Sequence, residues 1–459
     1  LRARLRKLLH DLSETFWLIP FALVTLGAVG AVLLVGLDRD GVVPRGLIQS
    51  AWLYNGGGTG ARTLLGAVAS STIGVAGTVF SITIAALSLA AGQMGPRLLR
   101  NFTRDRGNQV TLGVFLGTFA YALMVLRSVR SHDEGDFVPH LALSVGLLLA
   151  LVSVATLVFF VGHMAGRINV DTVIDLVSQD VHDALHRLTP DDPPPDPPPV
   201  AFWQDAVPVT DGRRGYLQQL DDEGLADWAA EHGVAIRLLA RAGDYIFPGA
   251  PIAAITPAAE GAAITPAPEG AAITPAAAGA AAAVRDATAL GRQRISAADL
   301  EASVRQLVEV AVRALSPGIN DPHTAISVLD QLGAVLCELA PLYLPNGVTV
   351  RDGRVVLVVR PITYDGLTDA MFHLIRQNGA RSVAVLIRLL EVLTAVLTCE
   401  RNPSRVQTLQ RHADLVLADA ETTLTNRGDL TDIRRRYEAF RRMRLHPPLG
   451  GVPIDTVRR

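Results

Sequence analysis

LLGAVASSTIGVAGTVFSITIAALSLAAG, residues 64–92, is apolar throughout and long enough to cross a bilayer. Small residues recur along it at Gly66, Ser70, Gly74, Gly77, Ser81, Ala85, Ser88 and Gly92. The steps are of three or four residues, so in a helix all eight project from one side. The larger Val75, Val79, Ile82 and Leu89 fall elsewhere on the helix. In a membrane, such a bare and mildly polar face either packs closely on another helix or lines a wet path. Small residues serve packing more often, so a dry seam is the first expectation and a pore lining the second.

Three further runs of spanning length flank this one, at residues 16–37, 110–126 and 138–161. The first follows a basic N-terminal stretch. It is longer than a secretory signal core and lacks a small-residue cleavage site, so it reads as a retained helix. Arg2, Arg4, Arg6 and Lys7 precede the first span, and Arg97, Arg100, Arg104 and Arg106 fill the loop between the second and third. The positive-inside rule then places the N-terminus, that loop and the long C-terminal part in the cytoplasm. The loop arginines are expected to set topology and touch anionic headgroups; a cytoplasmic vestibule or a docking site for the soluble domain is the alternative. No span carries an interior Asp, Glu, Lys or Arg, which argues against an ion-coupled carrier. His163, at the inner end of the fourth span, is expected to be structural or interfacial.

The 459 residues leave room for one or two soluble domains besides. Mean hydropathy is +0.30 although 19% of residues are charged, so the apolar residues are concentrated in segments. A net charge of -2 gives no reason to expect a nucleic-acid partner. Two cysteines, Cys337 and Cys399, do not make a disulfide scaffold or a cysteine zinc site. Lys7 is the sole lysine, a bias that fits GC-rich codons rather than phosphate recognition.

Beyond the spans, a helical pattern continues over residues 167–188 and gives way to PDDPPPDPPP at 190–199, a semi-rigid spacer. Residues 207–221 have strand character, 222–231 form a short helix and 234–240 a second strand. RAGDYIFPGAPIAAI follows, in a pattern similar to barrel-sandwich domains related to lipoyl carriers. Such a carrier needs a lysine at its hairpin tip, and none is present, which excludes swinging-arm chemistry. AAITPAAEG, AAITPAPEG and AAITPAAAG then repeat from Ala253 to Gly279. Three copies are too few for a solenoid, and their prolines oppose a helix, so a dispensable loop insertion is expected.

From residue 295 the chain reads as mostly helical. Val304, Leu307, Val308, Ala311 and Leu315 give an amphipathic stripe. In ALSPGINDPHTA, residues 314–325, Pro317 and Gly318 stop that helix, and Asp321-Pro322 starts the next as N-cap and first residue. Arg313, Ser316, Asn320, Asp321 and His323 form a candidate ligand or partner loop. Asp321 and His323 alone do not make a metal site. VTVRDGRVVLVV, residues 348–359, reads as a hairpin turning at Asp352-Gly353. Helices are expected over residues 367–377, 381–400, 403–424 and 430–445, with Asn402-Pro403 as a break. Phosphate loops, zinc-protease helices, nucleophile elbows and prominent carboxylate pairs are absent from the sequence, so no enzyme, catalytic residue, metal or cofactor is expected.

STIGVAGTVFSITIAALSLAAGQMGPRLLRNFTRDRGNQVTLGVFLGTFAYALMVL (71–126) and VEVAVRALSPGINDPHTA (308–325) resemble the bacterial family of predicted membrane proteins called DUF2254. GYLQQLDDEGL and RAGDYIFPG resemble it too, so the likeness covers nearly the whole chain. The resemblance implies an integral membrane protein with no assigned activity or catalytic residues. The triple repeat looks peculiar to this chain, and GRQRISAAD (291–299) looser than the family pattern.

The expected architecture is an α-helical membrane region of four transmembrane helices plus a cytoplasmic α+β domain. The boundaries are a transmembrane domain at 1–166, a helical extension and linker at 167–206, a small β module with the repeat at 207–285, and a mainly helical domain with a hairpin at 286–459. The expected function is that of an inner-membrane, bilayer-embedded, non-enzymatic homo-oligomer with a cytoplasmic sensing or interaction domain, its ligand unknown. A channel lined by the second helix is the alternative.

Overall fold

The computed structural model describes residues 16–40, 57–94, 105–130, 137–167, 170–190, 192–258, 273–292, 294 and 300–445. The chain divides into two compact units, one within residues 10–172 and the other from Val173 onward.

Among the described residues, the first unit contains four helices long and apolar enough to cross a membrane: α1 Leu18–Arg39, α2 Gly58–Met94, α3 Arg106–Ser128 and α4 His140–Arg167. α3 is central, with 56% of its apolar window buried against 17–28% for the others, and it packs on α1, α2 and α4. Close approach is what the sequence of α3 permits. Gly113 and Gly117, in GVFLG, face Pro20, Leu23 and Gly27 of α1, and a Cβ on Gly27 would stand 2.4 Å from the Gly117 carbonyl oxygen. Tyr121 Oη donates to the Ala142 carbonyl at 2.7 Å and ties α3 to α4. Asp38, in the last turn of α1, accepts the backbone N–H groups of Leu141 and Ala142 at 3.2 and 3.0 Å. A carboxylate thus satisfies donors that α4 leaves free at its N-terminus.

The second unit combines two small sheets with a layer of helices. Its first helix is α5, Val170–Leu188, within the stretch 167–188 where a helical pattern is expected. Val173, Ile174, Val177, Val181, Ala184 and Leu185 are buried, and Ser178 Oγ donates to Gln331 Oε1 at 2.8 Å. An amphipathic face makes α5 part of a core rather than a tether. The proline run is held as well, because Asn346 Nδ2 donates to the Pro195 carbonyl.

Strands β1 (Val207–Thr210) and β2 (Gly215–Leu220) replace the single expected strand. Asp211 breaks it: the carboxylate receives the Arg213 backbone N–H and guanidinium, and Arg213 also donates to the Thr288 carbonyl and Oγ1. After α6 (Asp222–Glu231) come β3 (Val234–Leu238), β4 (Tyr245–Ile246), β5 (Pro251–Pro257), α7 (Ile273–Ala287) and β6 (Thr288–Gly291). Helices α8 (Leu300–Ala314) and α9 (Pro322–Leu339) precede the hairpin β7 (Val348–Arg351) and β8 (Arg354–Val358). Helices α10 (Tyr364–Asn378), α11 (Val383–Cys399), α12 (Pro403–Thr423) and α13 (Arg427–Leu445) follow.

One sheet has the order β1-β5-β3-β8-β7 and the other β4-β2-β6. The β7–β8 hairpin, with Asp352 and Gly353 both at positive φ (49° and 74°), therefore lies in the same sheet as the β module, through a parallel pairing of β8 with β3. The repeat is a correction too. Ala253 to Pro257 of its first copy lie in β5, paired on both sides, with Ala253 and Ile255 fully buried. Residues 271–279, the third copy, enter α7 at Ile273. The same AAITP is thus strand in one copy and helix start in another, where proline in the first turn forfeits no helical hydrogen bond. Residues 259–272, which hold the second copy, lie outside the described residues.

Glu301, in the first turn of α8, links helix to sheet module. Its side chain is 5% exposed and lies 2.7 Å from Arg241 Nη2 and 3.2 Å from Arg305 Nη2. Burial alone would raise its pKa; the hydrogen bonds and charges of Arg241 and then Arg305 outweigh burial and hold it below 4.5. A carboxyl depressed in the folded state stabilises above its unfolded pKa and loses that contribution as pH falls through the folded value. Glu301→Gln is expected to destabilise the full chain by about 3 kcal/mol at pH 7, since it strands Arg241 without its partner. Thermal melts of both proteins from pH 7 to pH 3 should converge as pH falls below 4.5; a constant gap across that range would refute the ion-pair account.

Candidate functional site

Helix α2 carries the small-residue face. Its buried side is made by Ala61, Leu65, Val68, Ala69, Thr72, Ala76, Val79 and Ala86. At 100° per residue this side lies opposite the small residues. Ser70, Gly74, Gly77, Ser81, Ala85 and Ser88 are exposed and Gly66 is half-buried. A Cβ added at Gly66, Gly74 or Gly77 would meet no heavy atom within 4 Å among the described residues. Gly92 lies in α2, but its surroundings fall outside the described residues. Among the described residues, the expected seam is therefore not a seam of this chain's own bundle. The close intrachain approach there is the Gly113/Gly117 face of α3 against Gly27 of α1.

Three hydroxyls on and beside the open face are satisfied at home. Ser70 Oγ donates to the Gly66 carbonyl at 2.9 Å, Thr78 Oγ1 to Gly74 at 3.1 Å and Ser81 Oγ to Gly77 at 2.9 Å. No donor on these side chains needs water or a partner. Exposed Ile73, Phe80 and Ile84 run along one flank of the face, and Ile82 stands on the other. The shape is a shallow bare groove with apolar walls.

Near one end of the bundle, Asp105 caps α3. It accepts the Gly107 N–H at 2.9 Å, and its other oxygen lies 2.6 Å from His163 Nε2 of α4, with the Asp105 side chain 4% exposed. Phe159 stacks on the His163 ring at 5.3 Å, and a Cβ at Gly107 would stand 2.6 Å from Nε2. Here His163 is a structural lock between α3 and α4. Arg106, the first residue of α3, is exposed; Arg97, Arg100 and Arg104 lie outside the described residues.

In the second unit, the five candidate loop residues form a helix corner and do not converge. Asp321 accepts the N–H of His323 and Thr324 at 3.0 and 3.2 Å and the Thr324 hydroxyl at 2.6 Å. The Thr324 hydrogen bond is the main cause of its lowered pKa. Ser316 Oγ donates to the Arg313 carbonyl at 2.6 Å, and Arg313 approaches Glu309 of its own helix at 4.0 Å. Asn320 takes the left-handed conformation (φ 49°) that reverses the chain after α8. Asn320 and His323 side chains point to solvent. SPGINDPH is thus read from its backbone requirements.

A second constellation escaped the sequence reading. Asp369 and His373 are one turn apart on α10, and His412 comes from α12. Both His373 Nε2 (3.0 Å) and His412 Nε2 (3.2 Å) lie beside Asp369 Oδ1, which also receives Arg411 Nη2 at 2.6 Å. His412 is fully buried against Phe372, and among the described residues neither ring nitrogen has a hydrogen-bond partner. Burial, then the positive charges of Arg411 and His373, drives its pKa down to about 4. Burial alone would raise Asp369; the hydrogen bond and charge of Arg411 reverse this and keep it ionised. The only trace in the sequence was an Asp and a His at i, i+4.

Comparison with known proteins gives a consistent picture. The family model described as predicted membrane protein (DUF2254) matches residues 13–395. An uncharacterized protein of Mycobacterium tuberculosis (strain CDC 1551 / Oshkosh) is 32% identical over 431 residues, covering 93% of this chain and 80% of that protein. An uncharacterized protein of Mycobacterium bovis matches with the same identity and coverage. No solved structure matches.

Proposed function

This chain belongs to the DUF2254 family of predicted membrane proteins, and from that premise we propose that it is a non-enzymatic homo-oligomer of the inner membrane. Copies meet through the small-residue groove of α2. The large unit after α4 works in the cytoplasm as a sensing or interaction domain, an orientation supported by the arginine-rich N-terminus and the loop before α3.

The observation that carries this reading is the open groove: among the described residues, nothing stands within 4 Å of a Cβ added at Gly66, Gly74 or Gly77, on the side of α2 opposite its buried residues. Lipid chains pack poorly against a bare helix surface compared with a second helix, whose backbone approaches closely there. The home-bonded hydroxyls favour a dry contact over a water-filled axis, because a pore lining works through polar groups offered to the permeant. The test is the mass of the purified protein in lipid nanodiscs by light scattering, with planar-bilayer recording in parallel. The reading expects more than one copy per particle and no unitary conductance. A single copy per particle would refute the oligomer, and reproducible channel openings would replace the dry seam with a pore.

A further inference from the structure

We propose that Asp369, His373 and His412 bind a divalent transition-metal ion of the zinc class. This goes beyond the membrane assembly and stands or falls independently of it.

The geometry supplies three ligand atoms. Asp369 and His373 project from one face of α10, separated by one turn, and α12 brings His412 against them. One carboxylate oxygen and two imidazole nitrogens all lie within 4.8 Å of one another. Two imidazoles with a carboxylate suit borderline ions such as zinc or cobalt, and oxygen-seeking calcium or magnesium poorly. Asp369 and His373 side chains are 38% and 30% exposed, which gives an ion a way in and leaves room for water as a further ligand.

A separate observation points to a ligand. His412 is 0% exposed, yet Nδ1 and Nε2 both lack a hydrogen-bond partner among the described residues. A buried polar group without a partner is costly and rare. The Asp369 oxygen 3.2 Å away is close enough for charge attraction but not aligned as an acceptor. A metal on Nε2 answers that deficit, and a neutral imidazole is the form that ligates.

The arginines nearby set the limits. Arg411 occupies Asp369 Oδ1, and Arg376 is engaged by Asp419. A carboxylate has a second oxygen, so Arg411 and an ion can share Asp369, with the arginine acting as an outer-shell partner that orients it. A purely structural cluster would instead be an Asp369–Arg411 pair with two idle histidines.

The probe is cobalt(II) added to untagged, chelator-stripped full-length protein in detergent. The wild type should retain one equivalent after desalting, show the visible ligand-field bands of a low-coordinate nitrogen/oxygen site, and melt at higher temperature with cobalt than without. His373→Ala, at a partly exposed position, and His412→Leu, which keeps the bulk of the ring beside Phe372, should keep their helical circular dichroism. They should weaken binding beyond the roughly 10–100-fold that loss of an outer-shell partner causes. His323→Ala, at an exposed histidine elsewhere, should bind as the wild type does. No stoichiometric cobalt in the wild type would overturn the proposal, as would undiminished binding by folded His373→Ala and His412→Leu.

Discussion

Gly117→Val is expected to abolish the folded membrane unit. A Cβ at Gly117 would stand 2.9 Å from the Leu23 carbonyl oxygen and 3.2 Å from its carbon. Both partners are backbone, so no rotamer change relieves the clash; α1 and α3 must separate. Overpacking a core commonly costs about 1–3 kcal/mol where side chains can yield. Here the contact lies along the helix that the other three pack on, so the loss should exceed that range. Gly27→Val should behave alike, its Cβ lying 2.4 Å from the Gly117 oxygen. Gly30→Val, on the same α1 with nothing within 4 Å, should stay within about 0.5 kcal/mol of the wild type. The readouts are yield of monodisperse protein in mild detergent and its melting temperature. A normal melt for Gly117→Val would contradict the placement of this seam.

Gly77→Leu with Ser81→Leu should do the opposite. Ser81 is exposed and no described residue stands within 4 Å of a Cβ at Gly77, so the melting temperature of the isolated copy should hold. Two isobutyl groups fill the groove that a second helix needs, and the particle mass in nanodiscs should fall to that of a single copy. Ala76→Leu, on the buried side of α2, should instead lower the melting temperature. A double variant that unfolds, or that keeps the wild-type mass, would count against the groove as the contact between copies.

Sequence reading reached the four spans because twenty or so apolar residues in a row have few other solutions. It also found the small-residue face of α2. It could not say what that face meets, since in a membrane helix both the packed and the lipid-facing sides are apolar and polarity gives no direction. The shorter GVFLG of α3 obeys the same close-packing rule and was overshadowed by the longer stripe. In the second unit, Asp321-Pro322 and Asn402-Pro403 were legible because caps act within one turn. The parallel pairing of β8 with β3 was not, since nothing local encodes a partner so far along the chain. The repeat misled for a related reason: proline opposes a helix interior, but burial decides between strand and loop for AAITP. His412 was invisible because its partners lie on another helix.

The central claim is that the groove of α2 is the surface between copies. Its most direct test is oxidative cross-linking in native membranes, in a background with Cys337→Ala and Cys399→Ser. Gly77→Cys and Ser81→Cys are predicted to give disulfide-linked dimers, while Ala76→Cys and Val79→Cys, on the buried side, stay monomeric. Cross-linking from positions 76 and 79 but not from 77 and 81, or from none of the four, would contradict it.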